Sequence, residues 1–115
     1  MAYLPERGDV IWVDLDPRVG REQSSHRPAL VLSSARFNRK MNVAICCPIT
    51  SRKLRTDFEL ALPNHLDVTG VVLVYQVRAV DWRARGARFF TSVPVDTVKE
   101  VLLMLRAILD IPSLE

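Results

Sequence analysis

A mostly β (α+β) domain with one C-terminal amphipathic helix is the fold class this sequence predicts, from three observations. Short apolar, β-branched runs alternate with turn signals along most of the chain. Near the end, the apolar residues switch to helical spacing at Val98, Val101, Leu102, Leu105, Ile108 and Leu109. The 115 residues contain no linker, internal repeat or low-complexity stretch, so they read as one domain. Short strands with a single terminal helix build a small barrel or a curled sheet.

The first strand is Val10-Ile11-Trp12-Val13-Asp14-Leu15, set off by Gly8-Asp9 before it and Asp16-Pro17 after it. Residues 17–27 are polar and form a loop. Pro28 has no N–H to give a ladder and is expected at a strand's first position, with Ala29 to Ser33 continuing as a buried strand. Ala35 to Lys40 is a short helix or a turn. Asn42 to Pro48 is a strand that runs into Ile49-Thr50-Ser51, and residues 52–56 are a basic loop. Phe58 to Leu62 is a short strand bounded by Pro63-Asn64. Val71 to Trp82 is one bent strand or two, and Arg88 to Val93 is the last strand. Asp96 is expected to cap the terminal helix or charge its first turn. That helix should run about four turns, stop before Pro112, and pack its stripe on the sheet or on another subunit.

Composition narrows the function classes. With 49% hydrophobic and 25% charged residues the chain has globular proportions. A domain this size buries enough to fold alone, but modestly, so a partner subunit would help it. No apolar run approaches the roughly 18–20 residues of a membrane helix. The opening MAYLPERGDV has no signal-peptide h-region, so a cytosolic setting is expected. Cys46 and Cys47 are adjacent; strand neighbours point to opposite faces, so they read as two half-buried thiols rather than a disulfide or a zinc site. No metal site and no cofactor are expected.

The net charge of +3 conceals a segregation. Residues 17–56 and 77–92 together hold thirteen basic side chains and two acids, a net +11, and the remainder holds three basic and eleven acidic, a net −8. All but three of the sixteen basic residues are Arg, whose planar fork suits phosphate. This pattern points to a face for a polyanion.

Three stretches carry a family likeness. The first is Arg7-Gly8-Asp9-Val10-Ile11-Trp12-Val13-Asp14-Leu15-Asp16-Pro17, continuing through Gly20, Glu22-Gln23 and His26-Arg27-Pro28-Ala29-Leu30-Val31-Leu32-Ser33. The second is Pro48-Ile49-Thr50-Ser51. The third is Gly70-Val71-Val72-Leu73-Val74, then Gln76-Val77-Arg78, then Asp81-Trp82-Arg83-Ala84-Arg85-Gly86. In order and spacing the chain resembles the MazF/PemK toxins (ChpB- and Kid-like) of type II toxin–antitoxin systems over nearly its whole length. The resemblance implies an SH3-like small barrel with a C-terminal helix, a homodimer, and metal-independent cleavage of single-stranded RNA at a short sequence. It also implies a labile MazE/PemI-like antitoxin that blocks the RNA site.

Cleavage without metal uses the RNA's own 2′-hydroxyl as nucleophile and leaves a 2′,3′-cyclic phosphate and a 5′-hydroxyl. The protein must supply a proton acceptor, donors for the charge on phosphorus, and a proton for the leaving oxygen. Arg27 is the first candidate: Pro28 holds it extended, so its fork has a fixed direction for charge stabilisation, with proton donation a second role open to it. Its bland alternative is a structural salt bridge. The Thr50 hydroxyl can bond a phosphate oxygen or the 2′-hydroxyl, or be a turn residue. Glu22 can orient the 2′-hydroxyl or act as a weak base, and equally can be a counter-ion for Arg21 or Arg27. Arg18, Arg21, Arg52, Lys53, Arg55 and Arg83 can follow a phosphate backbone. Gln23, His26, Ser51 and Gln76 complete the candidate substrate-binding set. Trp12, Trp82, Phe37 and Tyr75 offer rings for stacking, although Trp12 and Trp82 read first as core.

Kid-type members carry a His just before the Glu-Gln, where this chain has Arg21, and an Arg and an Asp two apart where it has Leu73 and Tyr75. Their Arg–Asp acid–base pair therefore does not carry over, and the chemistry rests on Arg27 and Thr50. Two rival readings stand beside the nuclease: a CcdB-like gyrase poison on a similar barrel, and a non-catalytic RNA-binding barrel.

Overall fold

In the computed structural model of the protein, residues 2–15 and 26–110 are described. Among the described residues, seven antiparallel strands and two helices follow in the order β1 (Asp9–Asp14), β2 (His26–Val31), α1 (Ala35–Met41), β3 (Ala44–Thr50), β4 (Glu59–Ala61), β5 (Val71–Leu73), β6 (Arg78–Val80), β7 (Arg88–Ser92) and α2 (Val95–Leu109). A 3₁₀ turn, Val74–Gln76, joins β5 to β6. The predicted mostly β architecture with a terminal helix is what forms, and the long 71–82 run resolves into two strands.

The sheet runs β4-β5-β3-β2-β1-β7. β3 is its hub: β2 lies along one edge, while along the other β6 pairs with the first half of β3 and β5 with its last two residues. Alternation buries both faces of the central strands. Val10, Leu30, Cys47 and Ile49 join a core under Val98 and Val101 of α2. Ile11, Ala29, Val31 and Cys46 join a second core with Val80 and Trp82. Neighbouring residues thus serve opposite cores, as the period of two demands.

The cysteines follow this rule but are fully buried rather than half-buried, and burial pushes both thiols up to about 12. Trp82 is core, as expected, while Trp12 is only partly buried and packs against Phe90 at 5.3 Å.

Both strand prolines sit where a ladder is interrupted. Leu32 N–H donates to Ile45 O, so the even residues of β2 turn their backbone groups toward β3 and Ile45 turns its own toward β2. Pro28 is then the third residue of β2, not its first, and its nitrogen faces β3 where pairing stops at Ala29–Pro48. By the same parity Pro48 faces the gap between β6 and β5 that the 3₁₀ turn spans.

A buried amide ties down the β2–α1 corner. Asn38 Nδ2 donates to Pro5 O at 2.8 Å and to Ser33 O at 3.2 Å, and its Oδ1 accepts from the Ser33 hydroxyl. α1 is capped by Ser34, whose side chain accepts from Phe37 N–H, and closed by Asn42 in the left-handed region. α2 starts after Pro94, which has no capping side chain; Asp96 is in its first turn and is not the cap. One face of α2 packs on the sheet, while Val95, Leu102, Leu103 and Leu109 are exposed. Among the described residues, no helix is long and apolar enough to cross a membrane.

Candidate functional site

β2 and β3 part where Pro28 cannot donate, and the two leading candidates lie at that parting. Carried two steps past its last pair, Ala29–Pro48, the β2–β3 register aligns Arg27 with Thr50, and both residues line the same two cavities. Each is held on its outer edge: Arg27 is paired to Val13 of β1, and Thr50 to Val71 of β5. Strand parity puts both on one face of the sheet. The proline therefore does more than extend Arg27: it ends the ladder that would otherwise close over the pair.

Two cavities flank them. The first, about 570 Å³, is lined by Arg27, Thr50, Arg52, Arg55, Arg78, Tyr75 and Gln76 over a floor of Leu15, Pro48, Ile49 and Leu73. The second, about 540 Å³, shares Arg27, Ile49 and Thr50 and adds Ser51, Trp12, Pro28, Phe90, Asp67, Val68 and Thr69. Arg27 and Thr50 form the ridge between a cationic depression and a partly aromatic one.

The cationic wall is built on one buried acid. Glu59, at the start of β4, holds Arg52 in a two-pronged ion pair at 3.0 and 2.6 Å and accepts from Arg55 N–H at 2.9 Å. Hydrogen bonds from Arg52 hold its carboxyl down to about 2 against the opposing effect of burial, assisted by the Arg55 and Thr56 N–H groups. Arg52 donates further to Lys53 O at 2.8 Å, which shapes the loop. Arg78 reaches Leu15 O at 3.1 Å. Among the described residues no carboxylate lines the first cavity, so it is a region of positive potential suited to a phosphodiester.

The predicted residues separate accordingly. Arg27, Thr50, Arg52, Arg55 and Gln76 meet in the first cavity, and Ser51 joins Arg27 and Thr50 in the second. Arg52 lines the cavity while Glu59 holds its fork, so it also clamps the loop. Arg83 stacks on Trp82 with its guanidinium 4.8 Å from the ring and lines neither cavity. His26 opens β2 as an exposed residue beside Gly86 and also lines neither. Lys53 contributes its carbonyl to Arg52, and its side chain is exposed. Arg18, Arg21, Glu22 and Gln23 lie outside the described residues.

Sequence reasoning missed Glu59 and Arg78. A carboxylate on a short, otherwise apolar strand next to a basic loop was the available signal for Glu59. Nothing in the local sequence separated Arg78 from the other arginines. Among the described residues, no group of three or more His, Cys, Asp or Glu is placed to hold a metal ion.

Comparison with known proteins identifies the family and the fold. Residues 6–109 match the family described as PemK-like, MazF-like toxin of type II toxin-antitoxin system. The chain is 46% identical over 85 residues to the endoribonuclease toxin MazF of Escherichia coli (strain K12), covering 74% of this chain and 76% of that one. Crystal structures from Deinococcus radiodurans share the fold. MazF superposes with a TM-score of 0.85 at 41% identity, and MazF in a MazE–MazF complex with 0.85 at 39%; each covers 96% of this chain and 100% of the other. With its motifs, its strand order and nearly its full length in register with these proteins, the chain belongs to the PemK-like, MazF-like toxin family of type II toxin–antitoxin systems.

Proposed function

We propose that this chain is an endoribonuclease that cuts single-stranded RNA at a short sequence, with the RNA's 2′-hydroxyl as nucleophile and no metal ion. The observation that carries the reading is the convergence of Arg27 and Thr50 in two adjoining cavities, one walled by arginine. The relatives named as endoribonucleases support it.

A phosphodiester on the ridge meets the fork of Arg27, which bonds two non-bridging oxygens more strongly as phosphorus gains its fifth ligand. Thr50 donates to a phosphoryl oxygen or orients the 2′-hydroxyl. Arg55 and Arg78 add field without needing contact. The 2′-oxygen–phosphorus bond forms, the bond to the 5′-oxygen breaks in line, and a 2′,3′-cyclic phosphate and a 5′-hydroxyl result. Glu22 remains a candidate for orienting the nucleophile, with Arg18, Arg21 and Gln23 beside it in sequence as RNA contacts. Flanking nucleotides enter the two cavities, whose different linings give each side of the cut its own preference.

A second copy of the chain and a MazE/PemI-like antitoxin are the partners of this reading. The exposed apolar residues of α2 support the first, and the MazE–MazF complex of a relative supports the second. The setting is the cytosol, where messenger RNA is exposed.

The test is incubation of pure protein with a mixed-sequence RNA in EDTA. Discrete fragments ending in a cyclic phosphate are expected. Intact but retarded RNA would indicate a binding barrel instead. Intact, unbound RNA with gyrase trapped on DNA would indicate a topoisomerase poison.

A further inference from the structure

We propose that Tyr75 is the general acid of the reaction, its phenolic Oη handing a proton to the departing 5′-oxygen; this rests on the endoribonuclease reading above. The leaving oxygen departs as a strongly basic alkoxide unless it is protonated as the bond breaks. The proton must come from a group beside Arg27 and Thr50. Among the described residues that line the cationic cavity there is no carboxyl and no imidazole. Its donors are four guanidiniums, the Thr50 hydroxyl, the Gln76 amide and the Tyr75 phenol. Guanidinium groups keep their protons to above about pH 12, whereas a phenol ordinarily releases its own near 10. Two of the arginines are also committed, Arg52 to Glu59 and Arg78 to Leu15 O. An aliphatic hydroxyl and an amide are weaker acids still. The phenol is the cavity's best source of a proton at neutral pH.

The fold puts Tyr75 in place for the task. It lies at the centre of the 3₁₀ turn that bridges β5 and β6 across the gap at Pro48, two residues before Thr50. Val74, fully buried, anchors the turn, and the Tyr75 side chain projects outward, 46% exposed, at the cavity wall. Gln76 Nε2 donates to Tyr75 Oη at 3.3 Å. That contact and the nearby Arg52 guanidinium fix where the phenolic oxygen sits at the cavity wall.

The step balances. As the 2′-oxygen–phosphorus bond forms and the phosphorus–5′-oxygen bond breaks, the 2′-hydroxyl proton passes to water or a base, and the Tyr75 proton passes to the 5′-oxygen. The phenolate then recovers a proton from solvent, and nothing is oxidised or reduced.

The test pairs Tyr75→Phe with two substrates: an RNA with one scissile linkage, and the same RNA with sulfur replacing the bridging 5′-oxygen. A thiolate leaves without a proton, so it does not need the acid. On the oxygen substrate, Tyr75→Phe is expected to lower kcat by about 10²- to 10⁴-fold with KM within about threefold of the parent. On the sulfur substrate its kcat should match the parent within about threefold. Equal losses on both substrates would overturn the proposal in favour of base stacking or positioning by the ring, and an undiminished kcat on the oxygen substrate would overturn it outright. A parent protein inert on both substrates would instead remove the endoribonuclease reading beneath it. Unchanged thermal unfolding of Tyr75→Phe, expected for an exposed ring that loses one hydroxyl, shows that the variant folds.

Discussion

Gly70 is where the fold and the proposed chemistry can be tested with one methyl group. It precedes β5 with φ at +118°, and a Cβ there would sit 2.1 Å from the Thr50 carbonyl oxygen and 2.9 Å from its carbon. Backbone of this kind costs an L residue about 1–3 kcal/mol. The overlap adds to that, because opening a 2.1 Å contact past 3.0 Å displaces backbone by about 1 Å, and the neighbour is a carbonyl inside a ladder. Gly70→Ala should therefore cost about 3 kcal/mol, a fall in Tm of roughly 12 °C for a domain this size. Thr50 is what has to move, and misplacing a catalytic group by about 1 Å costs about 10²-fold in rate. Thermal unfolding and single-turnover RNA cleavage, the latter well below the variant's Tm, read the two effects separately. Gly86→Ala is the control: φ is +65° and the nearest atom is the His26 side-chain Nε2 at 3.4 Å, an ordinary contact. It should lose about 1 kcal/mol and keep its cutting rate. A Gly70→Ala protein that loses stability but cuts at the parental rate would show that Thr50 does not act from the place described. One that loses neither would show that the β3–β5 approach is wrong.

Other perturbations follow from the same contacts. Arg27→Ala should abolish cleavage with the fold retained, and Thr50→Ala should slow it by about 10- to 10³-fold, roughly one transition-state hydrogen bond; single-turnover rates with circular dichroism as the folding control check both. Glu59→Gln should loosen residues 51–58, raising their amide exchange and weakening RNA binding. Because the Glu59 carboxyl is held down to about 2, its contribution is complete above about pH 4.5 and fades as pH falls toward 2. Urea unfolding should find the parent more stable than Glu59→Gln at neutral pH, with the difference closing below about pH 4.5. Cys46 and Cys47, buried and pushed up to about 12, should resist alkylation at pH 8 until the protein unfolds; rapid labelling of the native state would contradict their placement.

Most of the element order was legible in the chain. Alternation and turn residues located β1, β3, β4 and β7 to within a residue or two, and the spacing from Val98 to Leu109 located α2. Pro28 was placed wrongly because a local rule sends proline to a strand's start. The partner strand's register decides whether its missing N–H matters, and here the ladder to β3 ends at that step. The 71–82 run was legible as one bent strand or two, but not the place of its break, since Val74-Tyr75-Gln76 is as compatible with a strand as its neighbours are. The ion pair of Arg52 was not legible, because its counter-charge, Glu59, is seven residues away on another element.

By itself the sequence determined the class of the fold, the family, the burial of the central strands and the pairing of Arg27 with Thr50 as candidates. These are properties of period, residue type and order along one segment at a time. The tertiary structure decided which candidates meet: Arg27 and Thr50 in shared cavities, Arg52 held by Glu59, Arg83 away on Trp82, and Tyr75 brought to the cavity wall. The reason is physical. A strand's own residues set which face each side chain takes, but the register between strands, and the gaps that prolines and tight turns leave in it, set which side chains share a space.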